Sequence, residues 1–136
     1  MATYVKFNSF VEALAEKVHN LGSDTLKVAL TNSAPSAANT VLANITEISY
    51  TNLSTRTISV SASSQASGVY KLVCTDLVLT SSGGTTGPFR YIVIYNDTAT
   101  NDELIAYYDY ASAITLQDSD TFTIDFSASN GLLQIT

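Results

Sequence analysis

Short runs in which apolar and polar residues alternate extend over most of the chain and predict β-strands. The clearest runs are rich in β-branched and aromatic residues, which suit a pleated surface that is buried on one side. Predicted strands cover residues 26–30, 55–60, 89–95, 104–110, 121–126 and 132–135. Residues 68–79 hold one or two further strands, and residues 41–48 form a short strand or a helical turn. The pair Asn130-Gly131 predicts a hairpin between the last two strands, because both residues tolerate a positive φ.

One α-helix is predicted near the N-terminus, over residues 9–21. Its apolar residues recur at helical spacing and form one stripe: Phe10, Leu14, Val18 and Leu21. Ser9 and Glu12 match a capping box at its start, and Gly22 stands where a left-handed residue commonly ends a helix. A helix of about a dozen residues is marginal in isolation. We therefore expect it to pack on the sheets or on another subunit, with docking in a partner's groove as the alternative.

These elements predict a mainly β protein with about eight strands and one N-terminal α-helix. Short strands spaced by roughly ten to fifteen residues are typical of a β-sandwich or a jelly-roll-like barrel. No internal repeat or linker divides the sequence, so we expect residues 1–136 to form a single β-sandwich domain. The glycine-rich segment 81–88 is predicted to be its most flexible connection.

The charge balance argues against two classes of partner. Six Lys and Arg residues stand against twelve Asp and Glu, which gives a net charge of −6. Nucleic-acid binding needs cationic side chains that neutralise phosphates, so we expect neither nucleic acid nor an anionic membrane as a partner. The N-terminus lacks a signal-peptide pattern, and no apolar run is long enough to span a membrane. We therefore expect folding in a cytoplasm, where the matches to Asn-x-Ser/Thr at Asn44, Asn52 and Asn96 have no meaning beyond composition.

Residues that could carry chemistry are few and scattered. The single cysteine, Cys74, lies in an apolar run and is predicted to be a buried structural thiol. The single histidine, His19, falls near the predicted end of the helix, where it would be solvated or would cap the helix. The acidic loop 96–103 is the one candidate metal site, but it lacks the full alternation and the glycine of helix-loop-helix calcium loops.

Enzymatic function is not expected. Glycoside hydrolysis needs two carboxyl groups that face each other, and the sequence pairs none of Asp109, Asp118, Asp120 and Asp125. No serine lies in a Gly-x-Ser-x-Gly motif, and a hydrolase would have to use His19 as its base. We therefore predict no catalytic residue, no metal and no cofactor.

The tyrosines of residues 107–110 are the best candidates for a contact surface. In a strand, Tyr108 and Tyr110 share one face while Tyr107 points to the other. Tyrosine is enriched at protein interfaces, since it is large, rigid and tipped with a hydrogen-bond donor. Tyr4 and Phe7 add apolar surface next to the helix. The predicted strands carry Thr, Ser and Tyr rather than the Lys and Glu that normally prevent exposed strand edges from pairing with other strands. We predict contacts at all five residues, with packing of Tyr107, Tyr108 and Tyr110 in the core as the alternative, and self-association as a dimer or trimer.

Four segments resemble small virion structural proteins of tailed bacteriophages, a family similar to capsid decoration or cement proteins. They are residues 7–22, residues 24–35, residues 87–100, and residues 121–126 together with Asn130-Gly131. The resemblance covers essentially the whole chain and matches no catalytic residue. It specifies a family but no mechanism.

The resemblance implies a structural component of a virus particle, assembled in the host cytoplasm. The expected function is that of a decoration protein at the capsid surface, which stabilises the head shell by binding the major capsid protein. The alternative is a tail-associated module that binds a receptor or a glycan, with Tyr107, Tyr108 or Tyr110 as a stacking platform. Copy number per particle separates the two, since a decorated shell needs hundreds of copies and a tail needs few.

Overall fold

A computed structural model describes residues 2–136 of the chain. The described part is mainly β, as predicted, with nine strands, one short α-helix (α1, Phe10–Ala15) and one 3₁₀ turn (Leu42–Asn44). The strands are β1 (Thr3–Lys6), β2 (Leu26–Thr31), β3 (Val60–Ala66), β4 (Val69–Cys74), β5 (Leu77–Thr80), β6 (Thr86–Asn96), β7 (Leu104–Leu116), β8 (Thr121–Ile124) and β9 (Leu133–Ile135).

All strands pair in antiparallel fashion, in three sheets. The largest sheet has four strands in the order β1-β7-β6-β2, and the other two have the orders β3-β4-β9 and β5-β8. β1 lies at the edge of the four-stranded sheet with Thr3 opposite Asp109, and β2 lies at the other edge with Leu26 opposite Asn96. The largest sheet therefore joins strands that are far apart in the sequence.

The main hydrophobic core lies against one face of the four-stranded sheet. Alternate residues of β2 and β6, such as Val28 and Ile94, contribute to it. Leu72 of β4, Leu79 of β5 and Ile124 of β8 belong to the same cluster, so the two smaller sheets supply its other wall. Each fully buried side chain of this kind contributes about 1.5–3 kcal/mol, which makes the cluster the main source of stability.

A second, smaller cluster covers the opposite face of the same sheet. It consists of Phe7, Ala29, Val93, Tyr95 and Leu104, and the segment after β2 covers it with Leu42 and Ile45. The centre of the four-stranded sheet is thus buried on both faces. This double burial explains why β2 and β6 are almost continuously buried instead of alternating.

The predicted helix is present but much shorter than residues 9–21. It ends at Ala15 because Lys17 adopts a left-handed φ of 69°, and the Val18 amide then bonds back to the Ala13 carbonyl at 2.8 Å. This is the usual left-handed helix end, formed here by Lys17 rather than by Gly22. The predicted capping box is also wrong, since Ser9 makes no side-chain bond to the helix.

Two strand predictions need correction, and two strands, β1 and β3, were not predicted. Residues 55–60 do not form a strand along their length; instead the Arg56 carbonyl and the Ile58 amide bond to the outer edge of β2. β1 was not expected, because its four residues gain a partner only from β7. The turn at Asn130-Gly131 joins no hairpin, because β8 pairs with β5 while β9 pairs with β4. Residues 41–48 contain a helical turn, one of the two predicted forms.

Candidate functional site

Aromatic residues from three strands form one surface at the edge of the four-stranded sheet. We call Tyr4, Tyr108, Tyr110 and Phe122 the tyrosine surface. The register of β1 on β7 places Tyr4 directly opposite Tyr108, and their ring centroids lie 5.4 Å apart at an interplanar angle of 61°. Edge-to-face contact of this kind adds about 0.5–1.5 kcal/mol to the burial of the two rings.

β8 completes the surface with Phe122. The ring of Phe122 lies 5.3 Å from the ring of Tyr110 and 5.5 Å from that of Phe89, which is fully buried. A hollow of about 290 Å³ opens beside Tyr108, Tyr110 and Phe122, and Asp125 lines it as well. The surface therefore rests on the main core and includes one carboxylate next to its aromatic rings.

Two of the tyrosines are open to solvent, and all three keep free hydroxyl groups. Tyr4 is 40% exposed and Tyr110 is 42% exposed. Within residues 2–136, no hydrogen bond engages the hydroxyl group of Tyr4, Tyr108 or Tyr110. Burial raises the pKa of both Tyr4 and Tyr108 to about 12, so these phenols are uncharged donors at neutral pH. The surface can thus bury aromatic area and donate hydrogen bonds to a partner.

An ion pair fixes the course of β7 between Tyr108 and Tyr110. The Arg90 guanidinium donates to both carboxylate oxygens of Asp109, at 2.8 and 3.0 Å. Asp109 also accepts the Ala111 amide at 2.8 Å, where Ala111 has a φ of 72° and the strand bends. The hydrogen bonds from Arg90 and then Ala111 hold the pKa of Asp109 below its ordinary value, and the bond to Asp109 raises the pKa of Arg90.

The five residues predicted as contacts separate onto two faces of the sheet. Tyr4, Tyr108 and Tyr110 lie on the tyrosine surface, as the alternation along the strand indicated for the last two. Phe7 and Tyr107 lie on the opposite face, with their rings 5.3 Å apart. Phe7 has no exposed area, so it cannot touch a partner in this conformation. Tyr107 is partly buried in the second cluster.

Sequence reasoning missed Phe122 and Asp125 as parts of this surface. Phe122 alternates with threonines in residues 121–124, which predicted a strand but did not say which sheet it joins. The pairing of β8 with β5 brings Phe122 next to Tyr110. That pairing has no local signal in the sequence.

His19 belongs to a buried polar cluster, which corrects the prediction that it is solvated or caps the helix. It is 4% exposed, and its Nδ1 atom lies 3.0 Å from the Asn96 amide nitrogen. The same nitrogen donates to Asp24 at 2.7 Å, while the Asn96 side-chain oxygen accepts the amides of Thr98 and Ala99. These acceptor bonds fix the orientation of the amide, so Nδ1 of His19 accepts and Nε2 carries the proton.

The cluster connects the segment after α1 to Asp24 and to Asn96 at the end of β6. Desolvation lowers the pKa of His19, against smaller opposite effects of Glu103 and Asp24, so the imidazole is neutral at neutral pH. Within residues 2–136 its Nε2 atom is buried and makes no hydrogen bond. An open groove of about 980 Å³ runs past His19 between the end of α1 and β4. The ring of His19 packs on that of Phe10 at 5.4 Å, and the carboxylates of Asp24 and Glu103 line the same groove.

The remaining candidates for chemistry have structural contacts. In the acidic loop, Asp97 pairs with Lys27 at 3.1 Å, and Glu103 accepts the Asn101 amide. No group of three potential ligands that could hold a metal ion occurs among residues 2–136. Asp118 accepts the amide of Gly83. Cys74 is buried, as predicted, and burial raises the pKa of its thiol to about 11.

Comparison with protein families, with curated proteins and with solved structures found no match to this chain. In the part of the chain that the structure describes, no helix is long and apolar enough to cross a membrane.

Proposed function

We propose that this chain is a non-enzymatic structural protein of a tailed bacteriophage virion, and that it decorates the capsid by binding the major capsid protein. The observation that carries the proposal is the tyrosine surface, with two half-open rings and three free hydroxyl groups. The resemblance of the sequence to small virion structural proteins supports a place in a virus particle. The tyrosine surface supports binding to another protein of that particle.

Tyrosine side chains suit a shell contact for a physical reason. They bury a large area at low cost in side-chain entropy, and together with Trp and Arg they dominate the energetic centres of interfaces. Tyr4 and Tyr110 stand on a sheet edge that the core supports through Phe122 and Phe89. A chain that contacts two neighbouring capsid subunits at once finds this combined binding site only on the assembled shell. Its binding therefore stabilises the shell and not the free subunits.

Binding to shells that lack the decoration tests the proposal. Purified protein is mixed with such shells, and the bound fraction is measured by sedimentation. We expect Tyr110→Ala and Tyr4→Ala to weaken binding by about 30-fold each, since truncation of a central aromatic anchor costs about 2 kcal/mol. Val11→Ala is the control, because Val11 is 53% exposed on α1 and does not line the hollow beside Tyr110.

Two results would contradict the proposal. One is wild-type protein that fails to bind the shells at any concentration. The other is an equal loss of binding for Val11→Ala and Tyr110→Ala, which would place the contact elsewhere or show non-specific adhesion. Thermal unfolding of each variant verifies that it remains folded.

We further infer that the three sheets pack as a β-sandwich or a jelly-roll-like barrel in one domain, and that the chain associates as a dimer or trimer on the capsid surface. The walls of the main core support the first inference, since the four-stranded sheet faces the two smaller sheets across it. The exposed tyrosines and the uncharged, exposed strand β3 support the second.

One observation favours the alternative function, a tail-associated module that binds a receptor or a glycan. The hollow beside Tyr110 combines an exposed aromatic ring with the carboxylate of Asp125. A sugar can stack on such a ring and donate hydroxyl hydrogen bonds to such a carboxylate. A cryo-EM map of the virion decides between the two, since density over the whole shell supports decoration and density confined to the tail supports the alternative.

A further inference from the structure

The outer edge of β3 is an open strand edge. All seven residues of β3 are exposed, and the strand pairs only with β4 on its inner side. No backbone hydrogen bond within residues 2–136 joins its outer side to another segment. Unpaired amide and carbonyl groups in a row are a template for another strand.

The hairpin geometry identifies the groups that are free. Ser67 and Gly68 have φ values of 52° and 80°, which is the two-residue turn of a tight hairpin. In such a hairpin Ala66 and Val69 exchange hydrogen bonds, and the bonded pairs then alternate along the ladder. Ser64 therefore bonds to β4, while the backbone groups of Ser63 and Gln65 point outward.

This edge lacks the charges that normally prevent pairing. No charged residue occurs from residue 57 to residue 70, a stretch of fourteen residues in a chain of net charge −6. A strand of Val, Ser, Ala and Gln can lie next to its own copy without like charges in opposition. A strongly charged partner strand would find no complementary charge here.

The other free edges are shorter or carry charges. β1 has four residues and includes Lys6, and β9 has three residues. β8 has four residues and is flanked by Asp120 and Asp125. Segments 53–54 and 56–58 already bond to the outer edges of β5 and β2.

We propose that β3 pairs antiparallel with β3 of a second copy of this chain, which forms a symmetric dimer with a continuous six-stranded sheet. The pairing uses the outward-pointing backbone N–H and C=O groups of Ser63 and Gln65. It occupies the β3 edge of both copies, so no third copy can add at β3 and the assembly is a dimer. This inference rests on the self-association within the proposed function but not on shell binding or on the tyrosine surface.

Charge substitutions at Ser63 test the pairing by sedimentation velocity. Ser63→Lys and Ser63→Glu each place like charges at or near the dimer axis, and we expect the dissociation constant of the dimer to rise at least about fivefold. A one-to-one mixture of the two variants should regain wild-type association. Ser63→Ala is the matched control, because it loses the same hydrogen bond to the Tyr70 hydroxyl without adding a charge, and it should remain dimeric.

Amide hydrogen exchange gives an independent reading for each residue. In the wild-type protein, the amides of Ser63 and Gln65 should become protected as the concentration passes the dissociation constant, while the Ser64 amide is protected throughout. A wild-type chain that stays monomeric overturns the inference. So does equal association of Ser63→Lys and Ser63→Ala, or protection of Ser63 that does not depend on concentration.

The two proposals fail in different ways. Monomeric protein that saturates shells through Tyr110 would refute the β3 dimer and leave decoration intact. Dimeric protein with the expected exchange pattern that ignores shells would refute decoration and leave the β3 dimer intact.

Discussion

Replacement of Phe7 by alanine tests the assignment of this residue to the interior. Phe7 was predicted as a contact residue, yet its side chain is fully buried and packs on Tyr107 in the second cluster. Removal of the ring leaves a cavity between the sheet and the segment that carries Leu42 and Ile45. We expect Phe7→Ala to lower the free energy of unfolding by about 3–5 kcal/mol, the usual cost of such a truncation.

Tyr4→Ala is the matched comparison, since it removes an aromatic ring on the other face of the same sheet edge. Tyr4 is 40% exposed, so Tyr4→Ala loses the burial of the covered part of the ring as well as the edge-to-face contact with Tyr108. We expect these losses together to cost about 2 kcal/mol. Phe7→Leu, which retains most of the volume, should cost less than about 1.5 kcal/mol.

Urea unfolding at equilibrium measures all three variants. The midpoint should fall most for Phe7→Ala while the slope with denaturant stays constant, because the surface exposed on unfolding changes little. A loss for Phe7→Ala no larger than that for Tyr4→Ala would refute the reasoning. It would mean that the second cluster contributes little to the stability of the fold.

Three further predictions concern single positions. Gly131→Ala should lower the free energy of unfolding, measured in urea, by about 2 kcal/mol more than Gly68→Ala. Both glycines have a positive φ, so both substitutions strain the backbone. A Cβ atom at Gly131 would also lie 2.6 Å from the Leu72 carbonyl oxygen, whereas no atom lies within 4 Å of a Cβ atom at Gly68. Because the pKa of His19 is lowered in the fold, the unfolded chain binds its proton more readily. The contribution of His19 to the free energy of unfolding should therefore be fully present above about pH 6.5 and be lost as the pH falls below it. When the urea midpoint is measured against pH, the His19→Gln variant should lack this part of the pH dependence. Cys74 should resist alkylation in the native protein and react on unfolding, as a thiol-specific reagent would measure, since its thiol is buried with a pKa of about 11.

The sequence predicted those features that depend on neighbours along the chain. Alternation identified β2, β6 and β7 and the common face of Tyr108 and Tyr110, because side-chain direction follows from the strand period alone. The mainly β class followed from these runs and is confirmed.

Features that depend on distant partners were missed or misplaced. The helix was expected to continue to residue 21, but His19 is held in the interior by Asn96, which lies in a different part of the sequence. The turn at Gly131 was correctly placed, but the strands on its two sides join different sheets. Tyr4 is part of the tyrosine surface only because the register of β1 places it opposite Tyr108. No local pattern contains that register.

The pairing of β1 with β7 also determines when the protein can finish folding during its synthesis. Thr3 faces Asp109, a partner that is made 106 residues later. At about 5–20 residues per second, β1 leaves the ribosome roughly 5–20 s before its neighbour in the sheet exists. The other two sheets close later still, since β5 waits for β8 and β4 waits for β9. Each of the three sheets is therefore completed only after its last strand, β7, β8 or β9, has been made, and until then β1 and β5 lack a partner strand and β4 has only β3.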